Sequence, residues 1–319
     1  MGRDERENLT LRMVGDKPTF AFVPKDYLTL AEALGIIDVE RASKVSGSRF
    51  GYLFGEAVLL EFALVQFAFS RLIPKGFRPV VPPDMIKPDV YRGMGRLAGG
   101  QEEERYYLPA DDLFLIGSAE HTMGPIHADE VLDEKQLPIR YAGFSSCFRR
   151  EAGSYGKDTK GILRVHQFDK VELVSFAHPD KSNEEHDFLL GAQEEMLREL
   201  GLHYRVVKNC TGDMGFTDAR QYDIETWLPG QSGSDGILGN YRETNSCSNT
   251  TDFQARGVNV KYRPSKGSPQ FVHMLNATCF AIGRILIAII ENYQQADGSI
   301  LVPEVLRSYT GFDRISKTR

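Results

Sequence analysis

The chain of 319 residues contains only 4 cysteines and 1 tryptophan, and the common nucleotide-binding and hydrolytic motifs are absent from it. Cys147, Cys210, Cys247 and Cys279 are scattered, without a CxxC pair or a histidine at ligand spacing, which argues against a disulfide framework and against a zinc site. There is no GxxxxGK[ST] phosphate loop, no GxGxxG turn after a strand and no GxSxG elbow. A phosphate-bearing ligand would therefore need cationic side chains in place of a glycine-rich backbone cradle.

A secretory signal and a basic net charge are also lacking. Residues 1–12 are charged and contain no apolar segment, and the longest apolar run, residues 279–290, is too short for a bilayer and includes Arg284. These features predict a cytoplasmic protein that does not associate with membranes. Because the net charge is −6, contact with RNA would require a local basic patch. The best candidate patch consists of Arg149, Arg150, Lys157, Lys160 and Arg164.

The periodicity of apolar residues predicts helices and strands that do not alternate regularly. Helices are predicted over residues 57–72, 182–200 and 280–293, and the second begins with a capping box formed by Ser182 and Glu185. Strands are predicted over residues 77–81, 112–116, 139–148, 162–176, 204–207, 222–228 and 257–262. This order predicts a single α+β domain over residues 1–319, with a mainly antiparallel β-sheet flanked by helices.

Charged and aromatic residues repeat at every second position in two of the predicted strands. Side chains two residues apart in a strand point to the same face of the sheet, so Arg149 and Glu151 are predicted to lie on one face. The same spacing predicts a shared face for Arg164, His166, Phe168, Lys170 and Glu172. A buried face would carry apolar residues, so these faces are predicted to bind a ligand. Arginine suits a phosphate, and an aromatic ring can stack on a purine, worth roughly 1–3 kcal/mol. The alternative is a hairpin with a solvated charged side.

Three smaller groups extend the pattern. Ser118 and Glu120 have the same strand parity and could together hold an ammonium group. Asn276 and Thr278 offer amide and hydroxyl groups in the same way. Arg284 lies in an apolar helix, where a lone charge is costly unless an anion meets it, and a structural salt bridge is the equally plausible alternative.

Several segments together resemble the class II aminoacyl-tRNA synthetases in their seryl form. FRREAGSYGKDTKGILRVHQFDKVE resembles motif 2, GFRPVVPP resembles motif 1, and LNATCFAIGRILIAIIENYQQADGSILVPEVL resembles motif 3. KVSGSRF, NCTGDMGF, YDIETWLPGQ and YRETNSCSNTTDFQARG are similar to further seryl-enzyme signatures, so the resemblance covers residues 9–309. It implies a class II synthetase fold, activation of L-serine with ATP to seryl-adenylate, and transfer of serine to tRNA(Ser). Motif 1 implies a homodimer.

The resemblance also implies roles in binding ATP. Arg149 would hold the α-phosphate and the serine carboxylate, and Glu151 would contact the adenine edge. Phe168 would stack on adenine, with Arg284 over its other face and on the γ-phosphate. Glu243, together with Ser246, would bind Mg²⁺, since hard oxygen ligands suit that ion. Arg149, Arg284 and Glu243 are thus the implied catalytic residues.

For serine, the resemblance implies a second set of contacts. Ser118 and Glu120 would read the amino group, Glu172 and Thr278 would line the side-chain pocket, and Asn276 would lie beside them. Arg149 and Ser246 would complete this site. Attack of a carboxylate on the α-phosphate needs alignment and charge neutralisation rather than a protein nucleophile.

The sequence departs from the family pattern at several points. No coiled-coil arm for the long variable arm of tRNA(Ser) precedes residue 9, so serine activation is expected to survive and tRNA charging to be weakened. Ser118 replaces the usual threonine, and Ser232–Gly239 is expected to be a mobile inserted loop. Glu243 and Ser246 have opposite strand parity, so a bulge or a turn must bring them together.

Two alternatives remain at this point. One is an amino acid:carrier-protein ligase, whose relatives use a zinc-bound pocket with cysteine ligands. The other is a non-catalytic interaction protein built on a synthetase core.

Overall fold

The computed structural model describes residues 2–98, 101–152, 158, 160–233 and 236–317. Its centre is an eight-stranded sheet, whose strands in chain order are β1 Leu9–Val14, β2 Phe77–Val80, β3 Ile139–Phe148, β4 Gln167–Ala177, β5 Tyr204–Lys208, β6 Arg220–Ser232, β7 Leu238–Asn249 and β8 His273–Ala281. The spatial order is β1-β5-β6-β7-β8-β4-β3-β2. Neighbouring strands are antiparallel except for the parallel pair β2 and β3. The predicted mainly antiparallel sheet is confirmed.

Helices pack against both faces of this sheet. The helices are α1 Tyr27–Leu34, α2 Val39–Ser46, α3 Glu56–Leu72, α4 Pro88–Gly93, α5 Glu120–Met123, α6 Ser182–Glu199, α7 Phe253–Gly257, α8 Ile282–Asn292 and α9 Arg307–Thr310. α3, α6 and α8 bury their apolar sides in the main core, against strand residues such as Val171, Leu173 and Ala277. On the opposite face, α5 and α7 pack against one end of β4 and β8 in a second apolar cluster that includes Met123, Ala255, Val174 and Met274, and the rest of that face is left for the polar side chains described below.

Shorter elements complete the fold. Short strands pair as Ile37–Asp38 with Tyr52–Leu53, as Met85–Ile86 and Tyr107–Leu108 with Leu113–Leu115, as Val131–Asp133 and Gln270–Phe271 with Lys261–Arg263, and as Ile300–Leu301 with Arg314–Ile315. Single turns of 3₁₀ helix occur at Glu5–Glu7, Ile73–Lys75, Gln101–Glu104, Gly124–His127, Glu134–Gln136, Pro179–Lys181 and Glu304–Leu306.

α3 is apolar on both of its sides. With the turn that follows it, the helical stretch Glu56–Lys75 is long and apolar enough to cross a membrane by length and composition alone. Its inner side, however, carries Leu60, Leu64 and Phe67, each at most 1% exposed in the main core. That burial is typical of a core helix of a folded domain, and it explains why the sequence is so apolar here.

The predicted capping box at the start of α6 is wrong. The Ser182 hydroxyl donates backwards to the carbonyl of Pro179 at 3.1 Å rather than accepting from the helix. Glu185 is turned away from the helix end, because its carboxylate accepts two hydrogen bonds from Arg140, at 2.7 and 2.6 Å, and one from Ser175 at 2.7 Å. A buried ion pair with β3 therefore displaced the local cap.

Three predicted element boundaries are also wrong. β4 begins at Gln167, not at residue 162, because the Ile162 N–H donates to the Tyr27 hydroxyl instead of a strand neighbour. α8 begins at Ile282, since the two residues before it still pair with β4. The beginning of the strand predicted over residues 257–262 is the end of α7, and the strand itself is Lys261–Arg263.

Candidate functional site

A cavity of about 680 Å³ opens over the sheet face that the core helices leave uncovered. Strands β4, β7 and β8 form its floor, and the segment leading into α5 and the N-terminal turn of α8 form parts of its wall. The predicted site residues that line it are Ser118, Glu120, Arg149, Glu151, Phe168, Glu172, Glu243, Ser246, Asn276, Thr278 and Arg284. The fold therefore brings every predicted site residue to one cavity.

At one end of the cavity, Glu120 is held in a buried ion pair. Its Oε1 atom accepts from Arg96 Nη2 at 2.7 Å and from Gln254 Nε2 at 2.8 Å. Burial by itself would raise the pKa of Glu120, but the charge of Arg96 and these hydrogen bonds outweigh it and lower the pKa. Glu120 is thus an anion, and the two protein hydrogen bonds fall on one of its two carboxylate oxygens.

Ser118 and Glu120 do not lie on a strand, so the predicted shared strand parity is wrong. Ser118 lies in the turn before α5, and Glu120 is the first residue of that helix. The two side chains still meet at the cavity, because the Glu120 N–H donates to Ser118 Oγ at 3.2 Å. The start of α5, and not a strand, therefore brings the two side chains together.

The middle of the cavity contains a second buried acid. Glu172 on β4 is 2% exposed, and its Oε2 atom lies 2.5 Å from Lys170 Nζ and 3.2 Å from Thr278 Oγ1, which donates to it. Burial raises the pKa of Glu172, and Lys170 and Thr278 only partly offset that effect. Asn276 lies two residues from Thr278 on the same strand face, and its buried Nδ2 atom has no hydrogen-bond partner. The pocket can therefore both accept and donate hydrogen bonds.

Arg149 and Phe168 form the next part of the wall. Arg149 Nε donates to the carbonyl of Gly117 at 3.1 Å, which fixes the guanidinium at the mouth of the pocket. The guanidinium carbon lies 5.3 Å from the centroid of the Phe168 ring. A cation and an aromatic face thus lie side by side, as a nucleotide phosphate and its base require.

Glu151 and Arg164 reach the cavity from turns and not from strands. Glu151 has a positive φ of 53°, so the predicted shared parity with Arg149 is wrong. Arg164 precedes β4, which corrects the prediction that it belongs to the strand, and its Nη1 atom donates to Glu151 Oε2 at 2.8 Å. His166 likewise lies before the strand. Both charged residues of this pair line the cavity.

At the far end, Arg284 and Glu243 are paired. Arg284 Nη1 donates to the Glu243 carbonyl at 2.7 Å and lies 3.2 Å from its Oε2. Partial loss of water around Glu243 would raise its pKa, but the charge of Arg284 lowers it overall. Burial and the charge of Glu243 raise the pKa of the neighbouring Asp223 to about 7. Arg284 thus forms the salt bridge of the alternative, and its partner is itself a predicted site residue.

A β-bulge joins Glu243 to Ser246, as predicted. β6 residues Ile224 and Glu225 pair with Asn245 and Glu243, so Thr244 is the extra residue. The bulge reverses the alternation once, and both Glu243 and Ser246 then line the cavity.

The comparisons with known proteins cover nearly the whole chain. The tRNA synthetase class II core domain (G, H, P, S and T) matches residues 106–293. A serine–tRNA ligase from Dictyoglomus thermophilum is 47% identical over 314 residues, which are 98% of this chain and 72% of that protein. The chain belongs to the serine–tRNA ligase family.

Other members of the serine–tRNA ligase family are as similar. A serine–tRNA ligase from Thermobifida fusca is 51% identical over 300 residues, which are 94% of this chain and 69% of that one. The crystal structure of seryl-tRNA synthetase from Pyrococcus horikoshii complexed with ATP has a TM-score of 0.93 at 43% identity, and the match covers 100% of this chain and 74% of that chain. The predicted α+β class II synthetase fold is confirmed.

The oxygen donors at the far end of the cavity fit a magnesium ion carried by phosphates. Glu243 keeps about half of its side chain exposed (49%) despite its pairing with Arg284, and the Ser246 hydroxyl lies next to Asp223. Within the described ranges, no group of three or more His, Cys, Asp or Glu residues could hold a metal alone. Magnesium usually binds through one or two carboxylates plus substrate phosphates, which this arrangement suits.

Sequence reasoning missed the residues that hold the predicted acids in place. Arg96 and Gln254 donate hydrogen bonds to Glu120, although they lie 24 and 134 residues from it in the sequence. Asp218 also lines the cavity, and it accepts from Ser248 Oγ at 2.8 Å. No local pattern marks these residues, since only the fold brings them together. Asp223 could have been noticed, because it alternates with Gln221 on β6.

Two predicted features lie partly outside the described residues. Lys157 of the basic patch is one such residue. The predicted Ser232–Gly239 loop is shorter than expected, because Ser232 ends β6 and pairs with Leu238 at the start of β7. In the described part of the turn between them, the Gly233 N–H donates to the Ile237 carbonyl at 2.9 Å. Ile237 is 66% exposed there.

Proposed function

We propose that this chain activates L-serine with ATP, forming seryl-adenylate and pyrophosphate, and transfers serine to the 3′ end of tRNA(Ser). The observation that carries the proposal is the single cavity in which Arg149, Phe168, Glu172 and Arg284 meet. Family membership supports the same reaction, since the relatives are serine–tRNA ligases. It does not favour a carrier-protein ligase or a non-catalytic protein.

In the activation step, a carboxylate oxygen of serine forms a bond to the α-phosphorus, and the bond from that phosphorus to pyrophosphate breaks. No proton needs to leave the serine carboxylate, so no general base is required. Arg149 lies where it can hold both the carboxylate and the α-phosphate, and Phe168 offers a stacking face for adenine. Arg284 faces the same cavity and can neutralise the triphosphate. Glu151, which lines the same cavity, would contact the edge of the base.

Glu243 and Ser246 would hold magnesium, which neutralises charge on the phosphates when it is bound. The ion pair between Arg284 and Glu243 fixes the carboxylate before any ligand binds. Because the charge of Arg284 lowers the pKa of Glu243, this ligand is ionised at neutral pH.

Serine selection is assigned to the buried acids. The free oxygen of Glu120 would accept from the ammonium group, beside the Ser118 hydroxyl. Glu172 and Thr278 would bond the serine hydroxyl, with Asn276 beside them. A site built to bond a hydroxyl rejects an analogue without it, because its buried polar groups are then left unpaired.

We also propose a homodimer in the cytoplasm, formed through α3 and β2. The outer side of α3 exposes Leu59 by 51% and Phe62 by 52%, and Ile73 in the 3₁₀ turn that follows is 54% exposed, although the inner side of α3 is buried. Val81, just beyond β2, is 80% exposed. A second copy of the chain would cover this apolar strip, which water otherwise contacts.

Amino acid-dependent exchange between ATP and pyrophosphate tests the proposed reaction. We expect exchange with serine, and much less with threonine, alanine or glycine. Arg149→Met should abolish it, whereas Arg92→Met, which removes an exposed arginine outside the cavity, should leave it unchanged. Absence of serine-dependent exchange in the purified wild-type protein with magnesium would refute the proposal.

A further inference from the structure

Arg105 is a cation that lines the cavity. It directly follows the Gln101–Glu104 turn, and its buried Nε atom has no hydrogen-bond partner. No carboxylate within the described ranges forms an ion pair with it. Its guanidinium carbon rests 5.7 Å from the centroid of the Tyr91 ring. An unpaired charge out of water is costly, so its retention at this place needs a reason.

The chain holds Arg105 next to Arg149. Gly117 lies between them: a Cβ atom on that glycine would lie 3.0 Å from Arg105 Nη1 and 3.4 Å from Arg149 Cγ. The glycine carbonyl accepts from Arg149 Nε, so the same residue positions one arginine and makes room for the other. Two guanidinium side chains thus converge on one point of the cavity wall.

The surroundings fix this arrangement without adding an anion. His121 Nδ1 accepts from the Gly117 N–H at 3.1 Å and lies 2.8 Å from the Tyr91 hydroxyl. Burial and the neighbouring arginines lower the pKa of His121 well below its usual value, so the ring is neutral. Burial, and then the charges of Arg149 and Arg96, also lower the pKa of Arg105 itself. Mutual repulsion of this kind is relieved when a bound anion bridges the cations.

We propose that Arg105 is a second guanidinium for the carboxylate of the bound amino acid, and that it shares this carboxylate with Arg149. The inference rests on the proposed function, because it assumes that an amino acid occupies the pocket between Glu120 and Glu172. Arginine can hold a carboxylate through two parallel N–H bonds, so two arginines can fix both of its oxygens. The oxygen that attacks phosphorus would then be oriented from two sides.

The test compares L-serine with serinol, which keeps the ammonium and hydroxyl groups but has no carboxylate. Binding of each to Arg105→Met and to the wild type is measured by calorimetry. The dissociation constant for serine should rise about ten- to one-hundredfold, as expected for the loss of a charged hydrogen bond. That for serinol should stay within about twofold, and the KM for ATP in the exchange assay should not change.

Arg105→Lys keeps the charge but loses the planar guanidinium with its parallel N–H donors, so the increase in the dissociation constant for serine should be intermediate. Arg92→Met is the matched control, and it should change neither ligand. If Arg105→Met weakens serine and serinol equally, the side chain has only a structural role; if it weakens neither, it does not contact the amino acid. Either result overturns the inference while the proposed function stands. A wild-type protein without serine binding or serine-dependent exchange refutes the proposed function instead.

Discussion

Replacing Glu172 with glutamine separates two roles that this carboxylate would play. It is 2% exposed and pairs with Lys170, which is 5% exposed. Glu172→Gln keeps the size of the side chain and an acceptor for the Thr278 hydroxyl. It removes the charge, however, and leaves the Lys170 ammonium buried without an anion.

The structural cost should therefore be large. Breaking a buried ion pair by removing one partner costs about 3–5 kcal/mol of unfolding free energy. The effect on substrate choice has a different size, because a hydrogen bond from the serine hydroxyl to a charged acceptor contributes about 1.5–3 kcal/mol. The preference for serine over alanine should thus fall by about ten- to one-hundredfold.

A double variant tells the two effects apart. Glu172→Gln with Lys170→Met removes both charges and replaces lysine by an apolar side chain of similar length. Urea unfolding should show that most of the lost stability returns, since a buried pair replaced by neutral groups is often close to neutral. The ratio of kcat/KM for serine and alanine in the exchange assay should stay as low as in the single variant.

The result that refutes this reasoning is a double variant that regains both stability and full preference for serine. Glu172 would then act only by keeping Lys170 in place. Lys170→Met alone is the complementary control: it should destabilise the protein, because Glu172 is left unpaired, yet preserve discrimination against alanine.

Two further predictions concern the fold and the assembly. Burial, together with Asp169, raises the pKa of Glu61 from 4.5 to about 8. Between these two pH values, the folded protein keeps a proton on Glu61 that the unfolded chain loses. The free energy of unfolding should therefore fall by a few kcal/mol as pH rises from about 4.5 to 8. Urea midpoints should show a flatter pH profile in Glu61→Gln, and an unchanged profile would contradict the assignment. Light scattering at micromolar concentration should give twice the chain mass of 35.8 kDa; Phe62→Asp should lower it, whereas Gln66→Asp on the same helix side should lower it less. A monomeric wild type would count against the dimer.

Strand periodicity predicted the part of the site that lies on regular strands. Phe168, Lys170 and Glu172 share one face of β4 because the side-chain period of a strand is two. Asn276 and Thr278 share one face of the neighbouring strand β8 for the same reason, and Thr278 pairs with Glu172 across the two strands. Polar residues at alternate positions of otherwise apolar strands were therefore a sufficient signal.

The same rule failed where the backbone leaves the strand. Glu151 has a positive φ, Arg164 lies in the segment before β4, and Ser118 precedes a helix. Each nevertheless lines the cavity, because turns carry it there. Parity was thus the wrong physical reason for these residues, and the motif resemblance identified Glu151 and Ser118 independently of it.

The partners of the buried acids could not be predicted from any local pattern. Arg96 lies in a turn after α4, and Gln254 lies on α7, yet both bond Glu120. The pairing exists only after α4 and α7 pack together, where Gly93 and Gly257 approach so closely that a Cβ on either would meet the backbone of the other. Charge compensation inside the site is therefore a property of the tertiary fold.

The bulge at Thr244 explains why an irregular strand suits this site. β7 presents both Glu243 and Ser246 to the cavity, but these positions are three apart and would face opposite sides of a regular strand. One extra residue reverses the alternation between them, while Thr244 itself stays buried through a hydroxyl contact with Thr226 at 2.8 Å. Regular pairing with β6 continues on both sides of the bulge, from Asn245 to Asn249 and again from Glu243 to Asn240. A single inserted residue thus unites the two halves of the cavity without loss of the sheet that supports it.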